Sequence, residues 1–182
     1  DCDTSKFGGT RIQTFSDQGL VSESTRPLNT FDSGIFMRDS KGVHIVERIL
    51  SRSDFVPLSS HISARKPFGL DGNIVDDPEY CSSTSSASRH VFCFGKAKQN
   101  GYLPVERVVK NREWINSWKV MMPYANNIGT ELSDDNQNAF VAEPGSVCSE
   151  TFLVAGYDLG LNQDKTDRLV RYLKTKFARF LL

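Results

Sequence analysis

Three histidines, four cysteines and two pairs of adjacent acids are the groups in this chain with types suited to bond-making chemistry. Nucleophilic attack by Ser or Cys needs a base within hydrogen-bonding reach. His44 falls in an amphipathic run, His90 begins an apolar segment, and neither these nor His61 stands in a recognisable motif, so structural or surface roles are expected for them. Cys2, Cys81, Cys93 and Cys148 are too scattered for a zinc knuckle or a redox pair, and are expected to be buried, reduced thiols. A pair of disulfides would require an oxidising compartment, for which no targeting signal argues. Metal-dependent nucleases gather acids and a Lys about a strand. The steps Asp76-Asp77 and Asp134-Asp135 instead lie in polar stretches without a strand-borne Glu-x-Lys, the pattern of solvated loop charge. Phe94-Gly95-Lys96 lacks the further glycines of a nucleotide-binding turn. Met122-Pro123-Tyr124 lacks the polar residue and second Pro of the Asn-Pro-Pro-Tyr-like loop that holds a flipped adenine. No catalytic residue and no metal ligand is assigned.

What remains is recognition chemistry. Cations stand beside aromatic and amide side chains in Ser63-Ala64-Arg65-Lys66-Pro67-Phe68 and in Lys96-Ala97-Lys98-Gln99-Asn100. Arg takes a guanine edge with two bonds, Asn or Gln pairs with adenine, and Lys neutralises phosphate. The candidate DNA-contacting residues are Arg65, Lys66, Lys96, Lys98, Lys119, Asn126 and Asn127. Each has a plainer alternative. Arg65 and Lys66 equally suit an ion pair or a salt-bridged turn, Lys119 a solvent-facing position on a strand, and Asn126-Asn127 a turn. The 22 basic and 22 acidic residues cancel to a net charge of +0, so no global field draws a polyanion, and any such site is a local patch.

The elements that must position these groups follow from periodicity. The chain's 182 residues, 38% hydrophobic, suffice for a core and point to one domain. Residues 1–33 are Ser, Thr, Asp and Gly rich, which reads as a flexible arm or linker preceding a domain over 34–182. Val43, Val46 and Leu50, flanked by Ile45 and Ile49, predict a helix of about three turns capped by Ser40. Pro57 and Pro67 keep 54–70 extended or looped, and 71–89 reads as a long exposed loop. Short strands are expected at His90–Phe94, Tyr102–Val109, Ser117–Met122, Ala139–Ala142 and Thr151–Ala155, with a polar loop over 124–138. A helix opened by Asn162 or Asp164 carries Leu169, Tyr172, Leu173, Lys176, Phe177 and Phe180 on one face and a basic face opposite. The expected fold is α+β, a mixed sheet of about five short strands with two helices and long polar loops. No stretch approaches the roughly 18 apolar residues of a membrane span. The polar start at Asp1, without an initiator Met or a leader pattern, reads as a piece of a longer protein.

Several strings, in order, resemble one family. They are Ile35-Phe36-Met37-Arg38-Asp39, Ile62 to Leu70 (ISARKPFGL), the Gly101-Tyr102 step, Trp118 to Ala125 (WKVMMPYA), Ala142 to Val154 (AEPGSVCSETFLV) and Tyr172 to Leu181 (YLKTKFARFL). Together they are similar to the region downstream of the catalytic domain in adenine-specific DNA methyltransferases of restriction-modification systems, the TaqI-like specificity domain. The resemblance implies a target-recognition module for double-stranded DNA in the bacterial cytoplasm. Its catalytic partner would be an upstream domain of the same polypeptide that binds S-adenosylmethionine and methylates an adenine flipped from the duplex. This chain itself would then hold no cofactor and catalyse nothing. The alternatives are a nuclease domain of a restriction enzyme and a protein–protein docking module of the same system.

Overall fold

A computed structural model describes residues 9–28, 30–32, 37, 39–83, 89–125, 138–175 and 177–178. The architecture is α+β, with several small sheets in place of the single five-stranded sheet expected. The chain divides into two compact units, one within Asp1–Val56 and one within Pro57–Arg179.

In the first unit, residues that composition assigned to an arm form a hairpin. Strands β1 (Thr10–Ser16) and β2 (Gly19–Arg26) pair antiparallel, with Ile12 opposite Ser24 and a bulge between Thr14 and Phe15. Polar alternation on a two-stranded ribbon leaves little apolar signal to read, and Ile12 is its one buried apolar side chain among the described residues. Polar contacts supply the order instead. Arg26 is buried and donates to the Met37 carbonyl and to Thr30 Oγ1 at 2.9 Å, while Ser22 Oγ donates to Asp39 Oδ1 at 3.0 Å. Helix α1 (Val43–Leu50) follows a single 3-10 turn, and the cap of that turn is Asp39, which accepts from Lys41 N at 2.9 Å. Ser40, the expected cap, instead lies 2.5 Å from Ser24 through its hydroxyl. Val46 is the buried residue of α1, and Leu50 is exposed.

The second unit holds two sheets of three strands. One has the order β4-β3-β7, from β3 (His90–Phe94), β4 (Gly101–Pro104) and β7 (Ser146–Cys148), with β3 antiparallel to β4 and parallel to β7. The other, β6-β5-β8, joins β5 (Lys119–Pro123), β6 (Phe140–Ala142) and β8 (Phe152–Ala155), all antiparallel. The strand expected over 102–109 ends at Pro104, because Pro cannot donate to a ladder, and Val105–Arg107 turns into a 3-10 helix. Strand β7 is too short to show a period.

Two cores result. Met121, Ala142 and Val154 of one sheet meet Val91, Cys93, Leu103, Val147 and Cys148 of the other, together with Phe68, Leu70, Ile74 and Val108. An edge-to-face and tilted aromatic run, Phe92, Phe94, Phe140 and Phe152, with centroids 5.0, 4.8 and 5.7 Å apart, ties the sheets along this seam. Val120 and Ala155, the alternate residues of β5 and β8, pack instead with Leu173 of α2 (Gln163–Leu173). Of the two openers expected, Asn162 caps α2, accepting from Lys165 N at 2.9 Å, and Asp164 lies in the first turn. α2 ends at Leu173, Phe177 and Ala178 are helical again, and Lys176 and Phe180 of the expected face lie outside the residues whose placement is described. No described helix is long and apolar enough to cross a membrane.

The loop over 71–83 is less exposed than its composition implies. Ile74 is buried, and the Tyr80 hydroxyl lies within hydrogen-bonding distance of the carbonyls of Cys93 at 3.0 Å and Gln99 at 2.8 Å, either of which can accept its one proton. Gly95, just after β3, makes this packing possible. A Cβ there would lie 2.2 Å from the Gln99 carbonyl oxygen and 2.5 Å from Val75. Gly95→Ala is therefore expected to cost about 2–3 kcal/mol, read as a lower urea midpoint with an unchanged slope; a loss under half a kcal/mol would show that the turn yields freely.

Candidate nucleic-acid interface

The ladder of β8 determines where the first candidates fall. Ile62 bridges Ala155, Ser63 N donates to Val154 O at 2.8 Å, and Val154 N returns a bond to Ser63 Oγ at 2.9 Å. Residues 62–63 thus run antiparallel beside β8, and two residues further on the chain reaches the level of the β7–β8 corner, Ser149 to Thr151. That corner carries the chain from one sheet to the other. It is closed by Phe152 N to Ser149 O at 3.2 Å and by the hydroxyls of Ser149 and Thr151, 2.8 Å apart. Tyr124, leaving β5, donates its N–H to Thr151 O at 2.8 Å and arrives at the same corner.

Arg65, Lys66, Tyr124 and Glu150 are therefore neighbours, although they come from three remote segments. Arg65 Nη2 lies 3.0 Å from Glu150 Oε2, with the Arg side chain 54% and the Glu 20% exposed. The Arg65 guanidinium also sits over the Tyr124 ring, 5.1 Å from its centroid, with Tyr124 53% exposed. Lys66 Nζ pairs with Asp71 and stands 3.7 Å from Glu150 Oε2. The hydrogen bond to Asp71 holds the Lys66 ammonium above its ordinary pKa, so it stays charged through the neutral range. Glu150 Oε1 accepts from Gly72 N at 3.1 Å, and the Glu150 backbone is tied to Leu70 O at 2.9 Å. The Lys66 backbone is left-handed, φ 58°, within a turn closed by Gly69 N to Lys66 O at 3.0 Å. Beneath that turn Phe68 enters the core and meets the edge of Trp114.

The other candidates separate. Lys96 has partners of its own, donating to Asn73 Oδ1 at 3.2 Å and Asp76 Oδ2 at 3.1 Å. Lys98 is exposed, in a left-handed conformation two residues on. Asp77 pairs with Arg107, so both acids of the first pair considered for a metal centre have a cationic partner; Asp134 and Asp135 lie outside the described residues. Among the described residues no three His, Cys, Asp or Glu side chains gather as ligands for a metal. Asn126 and Asn127 also lie outside the described residues.

Lys119 must be withdrawn as a DNA contact. It is 0% exposed, and its ammonium donates to Ser117 O at 3.0 Å and Ile115 O at 3.3 Å. Strand alternation gave it two sequence-based roles, but β5 is the central strand of a sheet covered on both faces, so neither face reaches solvent. Burial pushes its pKa down to about 8, against some support from nearby Cys148. Cys93 and Cys148 are buried free thiols as expected, Cys93 pushed up to about 12 by the same desolvation, and neither is a nucleophile at neutral pH. Cys81 is free and half-buried, and Cys2 lies outside the described residues. His61 Nδ1 is held between both Asp158 oxygens at 2.9 and 3.1 Å.

Sequence reasoning passed over Glu150 and Tyr124. Glu150 lies just before the strand expected over Thr151–Ala155, at the corner where the chain changes sheets. Neither residue type nor spacing marks it; only the convergence of three segments does. No protein-family model, curated protein or solved structure matches the chain.

Proposed function

We propose that the chain is a DNA-binding target-recognition module of a bacterial adenine-N6 DNA methyltransferase, acting in the cytoplasm to position duplex for an upstream catalytic domain of the same polypeptide. S-adenosylmethionine would be bound by that upstream domain. One observation carries the reading. Three of the strings that resemble the specificity regions of such enzymes, 62–70, 118–125 and 142–154, are remote in sequence and deliver Arg65, Lys66, Tyr124 and Glu150 to one exposed cluster. A cation stacked on an aromatic ring beside a second cation offers the donors that phosphates and guanine edges accept.

The same cluster limits affinity. Its two cations face the two carboxylates of Asp71 and Glu150, and the chain as a whole is neutral. Binding by this chain is thus weak and salt-sensitive, with a log–log slope kept modest by the few phosphates it can neutralise, contributing selectivity and placement more than strength.

Fluorescence anisotropy with a short labelled duplex tests this at low salt. Arg65→Ala is expected to weaken binding about five- to tenfold and to lower the slope of log K against log salt by about one, since each phosphate contact contributes about 0.9. Absence of any duplex binding by the unmodified chain at low salt would remove the reading and favour a protein-docking module. Cleavage of plasmid in magnesium or manganese, lost on changing Asp76, would replace it with a nuclease.

A further inference from the structure

The donors around Glu150 are those of an anion site. A backbone N–H from Gly72 at 3.1 Å, the Arg65 guanidinium at 3.0 Å and the Lys66 ammonium at 3.7 Å all converge on one carboxylate. A phosphodiester carries the same single negative charge and offers acceptor oxygens to the same donors. We infer that Arg65, Lys66 and the Gly72 N–H form a phosphate pocket that the free chain fills with its own Glu150 carboxylate, and that DNA phosphate takes this place when the side chain rotates out. The inference rests on the DNA-binding reading for its ligand, though the pocket itself does not.

Three features support exchange over a merely structural ion pair. The Glu150 backbone is fixed by Leu70 O and by the closed corner, so withdrawal needs only side-chain rotation and leaves the sheets intact. Arg65 is 54% exposed and keeps its place over Tyr124 whichever anion it faces. Lys66 is held in a left-handed conformation that a Lys seldom adopts, which fixes where its side chain leaves the turn. Replacing one anion by another keeps the local charge balanced, so the displaced carboxylate acts as an internal competitor and sets a threshold for binding.

The full chain is compared with its Glu150→Gln and Asp71→Asn forms. Each variant removes one negative charge, but only Glu150→Gln turns the anionic occupant of the pocket into a neutral one, which competes less well with phosphate. Duplex binding by Glu150→Gln is expected to be at least about fivefold tighter at low salt, with a log–log salt slope steeper by about one, and Asp71→Asn is expected to gain clearly less. Inorganic phosphate, compared with chloride at equal ionic strength, is expected to raise the Tm of Glu150→Gln and to raise that of the unmodified chain less. Equal gains from the two variants would reduce the effect to net charge and overturn the inference. Duplex binding by Glu150→Gln no different from the unmodified chain, with no response to phosphate, would overturn it too while leaving the DNA reading standing. Stabilisation of Glu150→Gln by phosphate without duplex binding by any form would uphold the pocket and sink the DNA reading. Should Glu150→Gln fail to fold, the Gly72 amide resonance of the unmodified chain gives the answer. Titration with phosphate moves it if the pocket exchanges, and an unmoved resonance overturns the inference.

Discussion

Phe68→Ala is expected to lower the free energy of unfolding by about 3–5 kcal/mol, the cost of emptying a fully packed aromatic site. Phe68 is 0% exposed, meets Trp114 edge-on at 6.3 Å between centroids, and joins the larger core with Leu70, Val108 and Val154. Its carbonyl receives Val109 N and Lys110 N at 3.3 and 3.4 Å, and the adjacent Pro67 carbonyl receives Asn111 Nδ2 at 2.6 Å. The ring is thus the anchor of the turn that presents Arg65 and Lys66. A loss of that size is a large part of the total stability of a small domain. Urea unfolding measures it. A Phe68→Leu form, which retains most of the volume, should lose much less, and equal losses would show that the site collapses without leaving a cavity. Because the ring lies beneath the turn that carries Arg65 and Lys66, the proposed duplex binding of any folded Phe68→Ala chain is expected to weaken too, although no cation has been changed.

The second large effect is electrostatic. Lys119 ordinarily titrates near 10.5 and is pushed down to about 8 by burial. Between those values the unfolded chain holds a proton that the folded chain has lost, so this group makes the fold more stable as pH rises. Below about 8 both states are protonated, and the folded state carries the full penalty of a desolvated ammonium, about 3 kcal/mol from the size of the shift. Cys93, Cys148 and Tyr80 act in the opposite direction. Their pKa values are raised by burial, so the unfolded chain releases their protons first, and stability falls as pH passes about 9 for the thiols and about 10 for the phenol. Stability is therefore expected to climb from about pH 8 to about 9 and then decline.

Lys119→Met should abolish the climb and keep the decline. At pH 7 it should raise stability by about 1–3 kcal/mol, because a well-packed apolar side chain replaces a buried charge. Thermal unfolding across pH measures both expectations. A Lys119→Met chain less stable than the original at pH 7 would mean that the bonds to the Ser117 and Ile115 carbonyls outweigh the desolvation they offset.

Local pattern was enough for part of the fold. The five apolar segments became β3, β4, β5, β6 and β8, with β3 matching residue for residue, because alternation and flanking turn formers are local properties of the chain. Asn162 was legible as a cap for the same reason, since its acceptor reaches only three residues along. The hairpin of β1 and β2 was not, because its order comes from hydroxyl and guanidinium contacts with 30–40, which carry no period. Strand β7 was not legible either, because three residues are too few to show an alternation.

The candidate interface shows the same division. Side-chain chemistry alone singled out Arg65 and Lys66, since a guanidinium and an ammonium beside Pro and Phe in a turn-rich stretch are visible in one dimension. Their proximity to Tyr124 and Glu150 was decided only in three, by the bridge of Ile62 to Ala155 and the corner at Ser149 to Thr151, which align segments some 60 to 85 residues apart. Lys119 is the converse case. Sequence determined that it alternates with its strand neighbours, whereas tertiary structure decided that both faces of that strand are covered, and a cation placed there serves neither solvent nor DNA. Residue type determines which chemistry a side chain offers, and long-range packing, which no local window contains, decides what that chemistry meets.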